Sequence, residues 1–213
     1  MNVREAESKI GLQLDMLMQV VERTYRYDYG IPQVLDKEEC FKFENDFADI
    51  GLIYGRPCIS IRGSDDVQDW KENLFLDFSM ELHGRILNWI EFNGHKHKNI
   101  LILGHSRGGA IGYYLAEYLT NLGYKVTLVT FGCPKVKPDS RIIFPHFRVT
   151  NGADGVPRLP PKFYSWKSKH SGYHIELDSA SLWRKSLLII GILTRHFIKD
   201  YQESYNKLDL NKE

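Results

Sequence analysis

The chain has 213 residues, 43% hydrophobic and 26% charged, a composition that suits one soluble globular domain with a sizeable core. Its 28 basic and 27 acidic side chains leave a formal charge of +1, which excludes a global field able to hold nucleic acid or an anionic membrane. Three cysteines, Cys40, Cys58 and Cys133, are too few for a disulfide framework and lack the paired spacing of a zinc site.

At the start of the sequence, Met1 to Ile10 carries charges where a secretory signal needs an apolar stretch. Ile10, Leu14, Leu17, Val21 and Tyr25 recur at steps of three and four, which predicts an amphipathic helix over about 3–27 lying on the core. Gly51 to Tyr54 and Cys58 to Ile61 flank the turn signal Gly55-Arg56-Pro57 and predict a hairpin. Residues 65–73 read as a charged loop or short helix. Leu82, Ile86, Leu87, Trp89 and Ile90 predict a second amphipathic helix ending near Asn93-Gly94. Asn99 to Leu103 is a short continuous apolar run, as expected of a strand buried on both faces. A helix from Arg107 to Leu122 follows and stops at Gly123. Further strands are predicted at Lys125–Phe131, Phe147–Thr150 and Tyr173–Leu177, then helix from about Leu182 to Leu208. The longest apolar run, Leu187 to Leu193, is far too short to span a bilayer, so the expected location is the cytoplasm. Strands alternating with helices indicate an α/β protein with a mostly parallel central sheet flanked by helices.

Gly104-His105-Ser106-Arg107-Gly108 matches G-x-S-x-G. The match gains its meaning from its setting, because it follows a buried strand and opens a helix. A serine there sits at a helix N-terminus, where backbone N–H groups and the helix dipole stabilise a developing oxyanion. Ser106 is therefore the candidate nucleophile.

Several separate segments together resemble the class-three lipases, the fungal-lipase-like branch of the α/β-hydrolases. They are Ile59-Ser-Ile-Arg-Gly-Ser64 with Asp69-Trp70, Gly104 to Gly109, Val129-Thr-Phe-Gly-Cys-Pro-Lys-Val136, and Arg148-Val-Thr-Asn-Gly-Ala-Asp-Gly-Val-Pro-Arg-Leu-Pro-Pro161. The resemblance runs from about Ile50 to Tyr201 and implies the α/β-hydrolase fold. It also implies an oxyanion hole formed by Ser64, after Arg-Gly, and the backbone N–H of Arg107, after the nucleophile. It implies Asp154 as the triad acid, presented from a Gly-rich turn after a buried strand; Asp139 and Asp178 are its rivals. In the chain order Ser, Asp, His, three histidines qualify: His170, His174 and His196. The segment His196-Phe-Ile-Lys-Asp-Tyr201 is similar to the family's terminal His and downstream Tyr and favours His196. His174 lies within a predicted strand, where a side chain is more often packed than mobile.

The activity so implied is that of a serine carboxylic-ester hydrolase acting on acylglycerols or other lipid esters through an acyl-enzyme. It requires neither metal nor organic cofactor. Its partners are a small-molecule or lipid ester substrate and a transient lipid interface, with no nucleic acid. The same triad would serve thioester or amide substrates, and the same fold could be a non-catalytic binding module. In this family a lid often follows the Arg-Gly segment; here it would fall in residues 65–73, where Val67 and Trp70, with Leu74 just after, are the apolar side chains. The run Ser186 to Leu193, just before His196, is either a wall of the acyl pocket or a core helix.

Overall fold

A computed structural model describes residues 1–25, 36–43, 46–63, 80–95, 97–136, 143–152, 154–160, 169–177 and 196–208. Two helices come first, α1 (Val3–Ile10) and α2 (Leu14–Tyr25), then strands β1 (Asp36–Phe43), β2 (Asp46–Ile53) and β3 (Arg56–Ile61). Helix α3 (Met80–Phe92) precedes β4 (Asn99–His105), α4 (Arg107–Asn121), β5 (Lys125–Phe131) and β6 (His146–Thr150). A 3₁₀ turn (Val156–Arg158), β7 (Tyr173–Glu176) and α5 (Ile198–Asn206) complete the order.

The strands form one seven-stranded sheet in chain order. β1, β2 and β3 pair antiparallel, and β3 through β7 run parallel. The parallel part explains why β4 and β5 read as unbroken apolar runs: both of their faces are covered. Alternate side chains divide between two layers. Leu101 and Leu103 of β4, with Val129 and Phe131 of β5, join the cluster under α1, α2 and α5. Ile100 and Ile102, with Val126 and Leu128, join the cluster under α3 and α4. Each such aliphatic side chain stabilises the fold by about 1.5–3 kcal/mol when fully buried. Among the described residues, no helix is long and apolar enough to cross a membrane.

Three points differ from the sequence reading. The expected helix over 3–27 is two helices, broken where Gly11 adopts φ 79° as the C-cap of α1 and donates its N–H to the Glu7 carbonyl. Glu7 also bridges the break, its carboxylate accepting from the Leu14 amide at 2.8 Å. The hairpin expected at 51–61 is present, but β2 starts earlier, at Asp46, and β1 adds a strand the sequence reading did not contain. Of the helix expected over 182–208, Ile198–Asn206 is helical; the apolar run 186–193 lies outside the described residues.

The approach of α4 to the sheet is set by small residues. A Cβ on Gly108 would lie 2.3 Å from the Ile61 carbonyl oxygen, and one on Gly104 would lie 2.5 Å from the Gly108 carbonyl oxygen. By contrast, a Cβ on Gly84, inside α3, would meet nothing within 4 Å. Two alanine substitutions should therefore act in opposite directions. Gly108→Ala should destabilise by about 3 kcal/mol through backbone overlap. Gly84→Ala should stabilise by roughly 0.5–1 kcal/mol through helix propensity. Urea midpoints of the two variants beside the parent chain check both signs.

Candidate active site

β4 ends at His105, and α4 begins at Arg107. Ser106 alone makes the turn between them, with φ 57° and ψ −130°. That backbone is rare for any residue with a side chain and stores local strain. It is held by the Ser106 amide donating to the Phe131 carbonyl at 2.9 Å and by the Gly109 amide donating to the Ser106 carbonyl at 3.0 Å. Ser106 is also buried. Arg107 is the first residue of the helix, so its N–H belongs to the turn for which the helix supplies no acceptor.

Asp154 lies beyond the end of β6, where its amide donates to the Asn151 carbonyl at 2.8 Å. Its carboxylate is buried, and both oxygens accept hydrogen bonds. Oδ1 accepts from the Val156 amide at 2.9 Å, at the start of the 3₁₀ turn. Oδ2 accepts from His196 Nδ1 at 2.8 Å and from the Tyr201 hydroxyl at 2.5 Å. A carboxylate only accepts, so the His196 proton is on Nδ1 and the ring's lone pair is on Nε2. Burial, then the charge of Asp154, pushes the Tyr201 hydroxyl well above its ordinary range, so it remains a donor.

His196 precedes α5 and is buried. The helix start beside it is fastened at two points. Asp200 accepts from the Phe197 amide at 3.1 Å, and the Asn151 side-chain amide donates to the Asp200 carbonyl at 3.2 Å. Asn151 thus connects the segment bearing the acid to the helix behind the histidine.

These parts meet at the end of β5. His105 is paired with Phe131 across β4 and β5, so Ser106 and Gly132 leave neighbouring strands side by side. A Cβ on Gly132 would lie 2.8 Å from Asp154 Oδ2 and 2.9 Å from His196 Cε1. On the other side, a Cβ on Gly63 would lie 2.7 Å from Ser106 Cβ. The His105 ring, one residue before Ser106, stacks on the His196 ring with centroids 4.7 Å apart. Ser106, Asp154 and His196 are therefore brought together. The chain leading to Ser64 runs against the serine at Gly63, while Ser64 itself, like Asp69, Trp70 and the 65–73 segment, lies outside the described residues.

The rival histidines are elsewhere. His174 is on β7, opposite Arg148 of β6, with its Nε2 2.7 Å from the Thr150 hydroxyl. His170 follows Lys169, which bridges to Val136. Asp139 and Asp178 lie outside the described residues. Among the described residues, no cluster of three or more His, Cys, Asp or Glu could hold a metal ion. Two contributors were not singled out from the sequence. His105 was visible only as an unspecified position in the motif, and Tyr25 only as one more residue on an amphipathic face.

An α/β-hydrolase fold with a serine at the strand-to-helix turn and a His–Asp pair beside it defines the class of protein. Residues 75–164, which hold the nucleophile motif and Asp154, match the family model described as lipase (class 3). The secreted mono- and diacylglycerol lipase 1 of Fusarium solani is 35% identical over 82 residues, covering 36% of this chain and 25% of that one. The chain thus matches about a quarter of the length of that curated relative. The Rhizomucor miehei triacylglyceride lipase structure aligns with a TM-score of 0.60 at 19% identity, covering 78% of this chain and 79% of that one. A triacylglycerol lipase from Penicillium expansum aligns with a TM-score of 0.60 at 15% identity, covering 76% and 77%. At these identities the two structures establish the α/β-hydrolase fold.

Four of the described histidines are shifted toward the neutral form. Burial, then the charge of His196, places His105 well below its ordinary value. Burial, then Arg148, takes His146 down to about 3 and His170 to about 4 and lowers His174. In the unfolded chain each returns to about 6.5. Below that value the unfolded state binds protons that the native state refuses, so the contributions of His146 and His170 are complete above pH 6.5 and are lost as pH falls toward 3–4. His146 and His170 should each add up to about 1.4 kcal/mol per pH unit to the slope of stability within their windows. Urea unfolding between pH 7.5 and 4.5 should show stability falling below pH 6.5. His146→Gln, which cannot take up that proton, should flatten the slope.

Proposed function

We propose that this protein is a serine carboxylic-ester hydrolase acting on acylglycerols or related lipid esters through an acyl-enzyme. The observation that carries the reading is the strained backbone of Ser106 at a helix N-terminus beside the buried His196–Asp154 pair. Ser106 Oγ attacks the ester carbonyl carbon while its proton passes to His196 Nε2. Asp154 keeps the ring in the required tautomer and stabilises the imidazolium. The carbonyl oxygen, now anionic, is held by the Arg107 N–H and by Ser64. His196 then gives its proton to the departing alkoxide, and a water activated by the same nitrogen releases the acid. No step requires a metal or organic cofactor. Support for acylglycerols as substrates comes from the class-three lipase match and from the named activity of the Fusarium relative. Phe197, next to His196 and exposed, offers an apolar side chain for transient contact with a lipid surface.

Ser106→Ala should lower kcat by on the order of 10⁶, as in other enzymes whose triad acts as a unit. A serine-reactive phosphonate should label the parent chain once and leave the variant unlabelled. Labelling of Ser106→Ala at the parent rate would remove the nucleophile assignment. Hydrolysis of p-nitrophenyl esters across acyl lengths, beside a thioester and an anilide, reports the substrate class; preference for the anilide would overturn the ester assignment.

His196→Ala should lose most of kcat while His174→Ala keeps activity within a few-fold of the parent, because His174 bonds Thr150 rather than the triad acid. Circular dichroism confirms that both variants are folded. The reverse pattern of activities would make His174 the base.

A further inference from the structure

We propose that Tyr25, on α2 and outside the stretch that matches the class-three lipases, is a positioning residue of this site. Its hydroxyl fixes the tautomer of His105, and through it the backbone of His196, while the same oxygen anchors Gly63 beside Ser106. The proposal rests on the ester-hydrolase reading above.

The proton positions follow from which atoms can only accept. His105 Nε2 is 2.6 Å from the His196 carbonyl oxygen. A carbonyl has no proton to give, so Nε2 is the donor. His105 is buried and held neutral, so its Nδ1 carries a lone pair. Tyr25 Oη is 2.7 Å from that Nδ1 and must donate to it. The tyrosine oxygen in turn accepts from the Gly63 amide at 2.8 Å. One directed chain therefore runs from Gly63 N–H through Tyr25 O–H and His105 Nε2–H to the His196 carbonyl. It passes directly behind Ser106, since His105 is the residue before the nucleophile.

The ends of this chain are the two parts of the site that must keep register with Ser106. Gly63 introduces Ser64, and the His196 carbonyl belongs to the candidate base. The rings reinforce the arrangement. Tyr25 meets His105 edge-on with centroids 5.6 Å apart, and His105 stacks on His196. Without the hydroxyl, Nδ1 and the Gly63 amide both lose a partner in a buried setting. His105 can then place its proton on Nδ1, which turns an Nε2 lone pair toward the His196 carbonyl. The repulsion displaces the backbone of His196, and displacements of about 1 Å cost on the order of 10²-fold in rate. Substrate binding makes no direct use of Tyr25 in this account, so the loss falls on kcat.

The experiment compares the full chain with Tyr25→Phe, which keeps the ring and removes only the hydroxyl. Long-range ¹H–¹⁵N spectra of the histidine side chains at pH 7.5 report the tautomers, and p-nitrophenyl ester hydrolysis reports kcat and KM. The parent should show His105 protonated on Nε2. The variant should show a mixed or altered His105 tautomer and a kcat lower by about 10- to 100-fold, with KM within about threefold. A parent His105 protonated on Nδ1 overturns the proposal, and does so even if the variant fails to fold. An unaltered His105 signal or a parent-like kcat in a folded Tyr25→Phe also overturns it. If the parent hydrolyses no ester, the functional reading fails, and the spectra still decide whether Tyr25 fixes His105.

Discussion

The backbone of Ser106 is the constraint on which the rest of this structure turns. A φ of 57° with ψ −130° costs on the order of 1–3 kcal/mol, and it persists because the surroundings leave no alternative. The amide is committed to Phe131 on the adjacent strand and the carbonyl to Gly109 on the helix. The helix is pressed so near β3 that only glycine fits at position 108. From this one turn follow the direction of α4, the availability of helix amides near the serine, and the placement of His105 behind it. The parallel β3–β5 sheet is the rigid frame that the turn strains against.

The second requirement is a buried carboxylate that can remain one. Asp154 is almost wholly removed from water, and an uncompensated charge there would be costly. Three donors meet it: the Val156 amide, the His196 ring and the Tyr201 hydroxyl. Removing any one partner would leave a buried acceptor short, which typically costs about 1–3 kcal/mol. The acid is thereby both a chemical group and the point where β6, the 3₁₀ turn and α5 are joined.

Much of this was legible in the chain. β4 and β5 stood out because strands covered on both faces are continuous apolar runs, and Ser106 because the motif sits between such a strand and a helix. Asp154 and His196 came from segment resemblance. Spacing by itself left three histidines in play; in the structure His196 bonds Asp154 and His174 bonds Thr150. β1 was not legible because Lys37, Glu38, Glu39 and Lys42 break any apolar signal in an edge strand, where only one side needs a partner. The single helix expected at the N-terminus became two because the periodicity runs straight through Gly11, whose left-handed φ has no hydrophobic signature. Tyr25 and His105 are 80 positions apart. No local pattern records a hydrogen bond of that range, so their joint role emerges only from the folded chain.

The joining of β6 to α5 through Asn151 and Asp154 also orders events during synthesis. Ser106 leaves the ribosome well before His196 and Tyr201. At roughly 5–20 residues per second, the interval is on the order of ten seconds. Throughout it, β4, α4 and β5 can assemble, yet the carboxylate of Asp154 has neither its histidine nor its tyrosine. The nascent chain therefore holds the candidate nucleophile without the candidate base. On the proposed reading the site is complete only once α5 has docked, so an unfinished polypeptide lacks the base that ester hydrolysis would require.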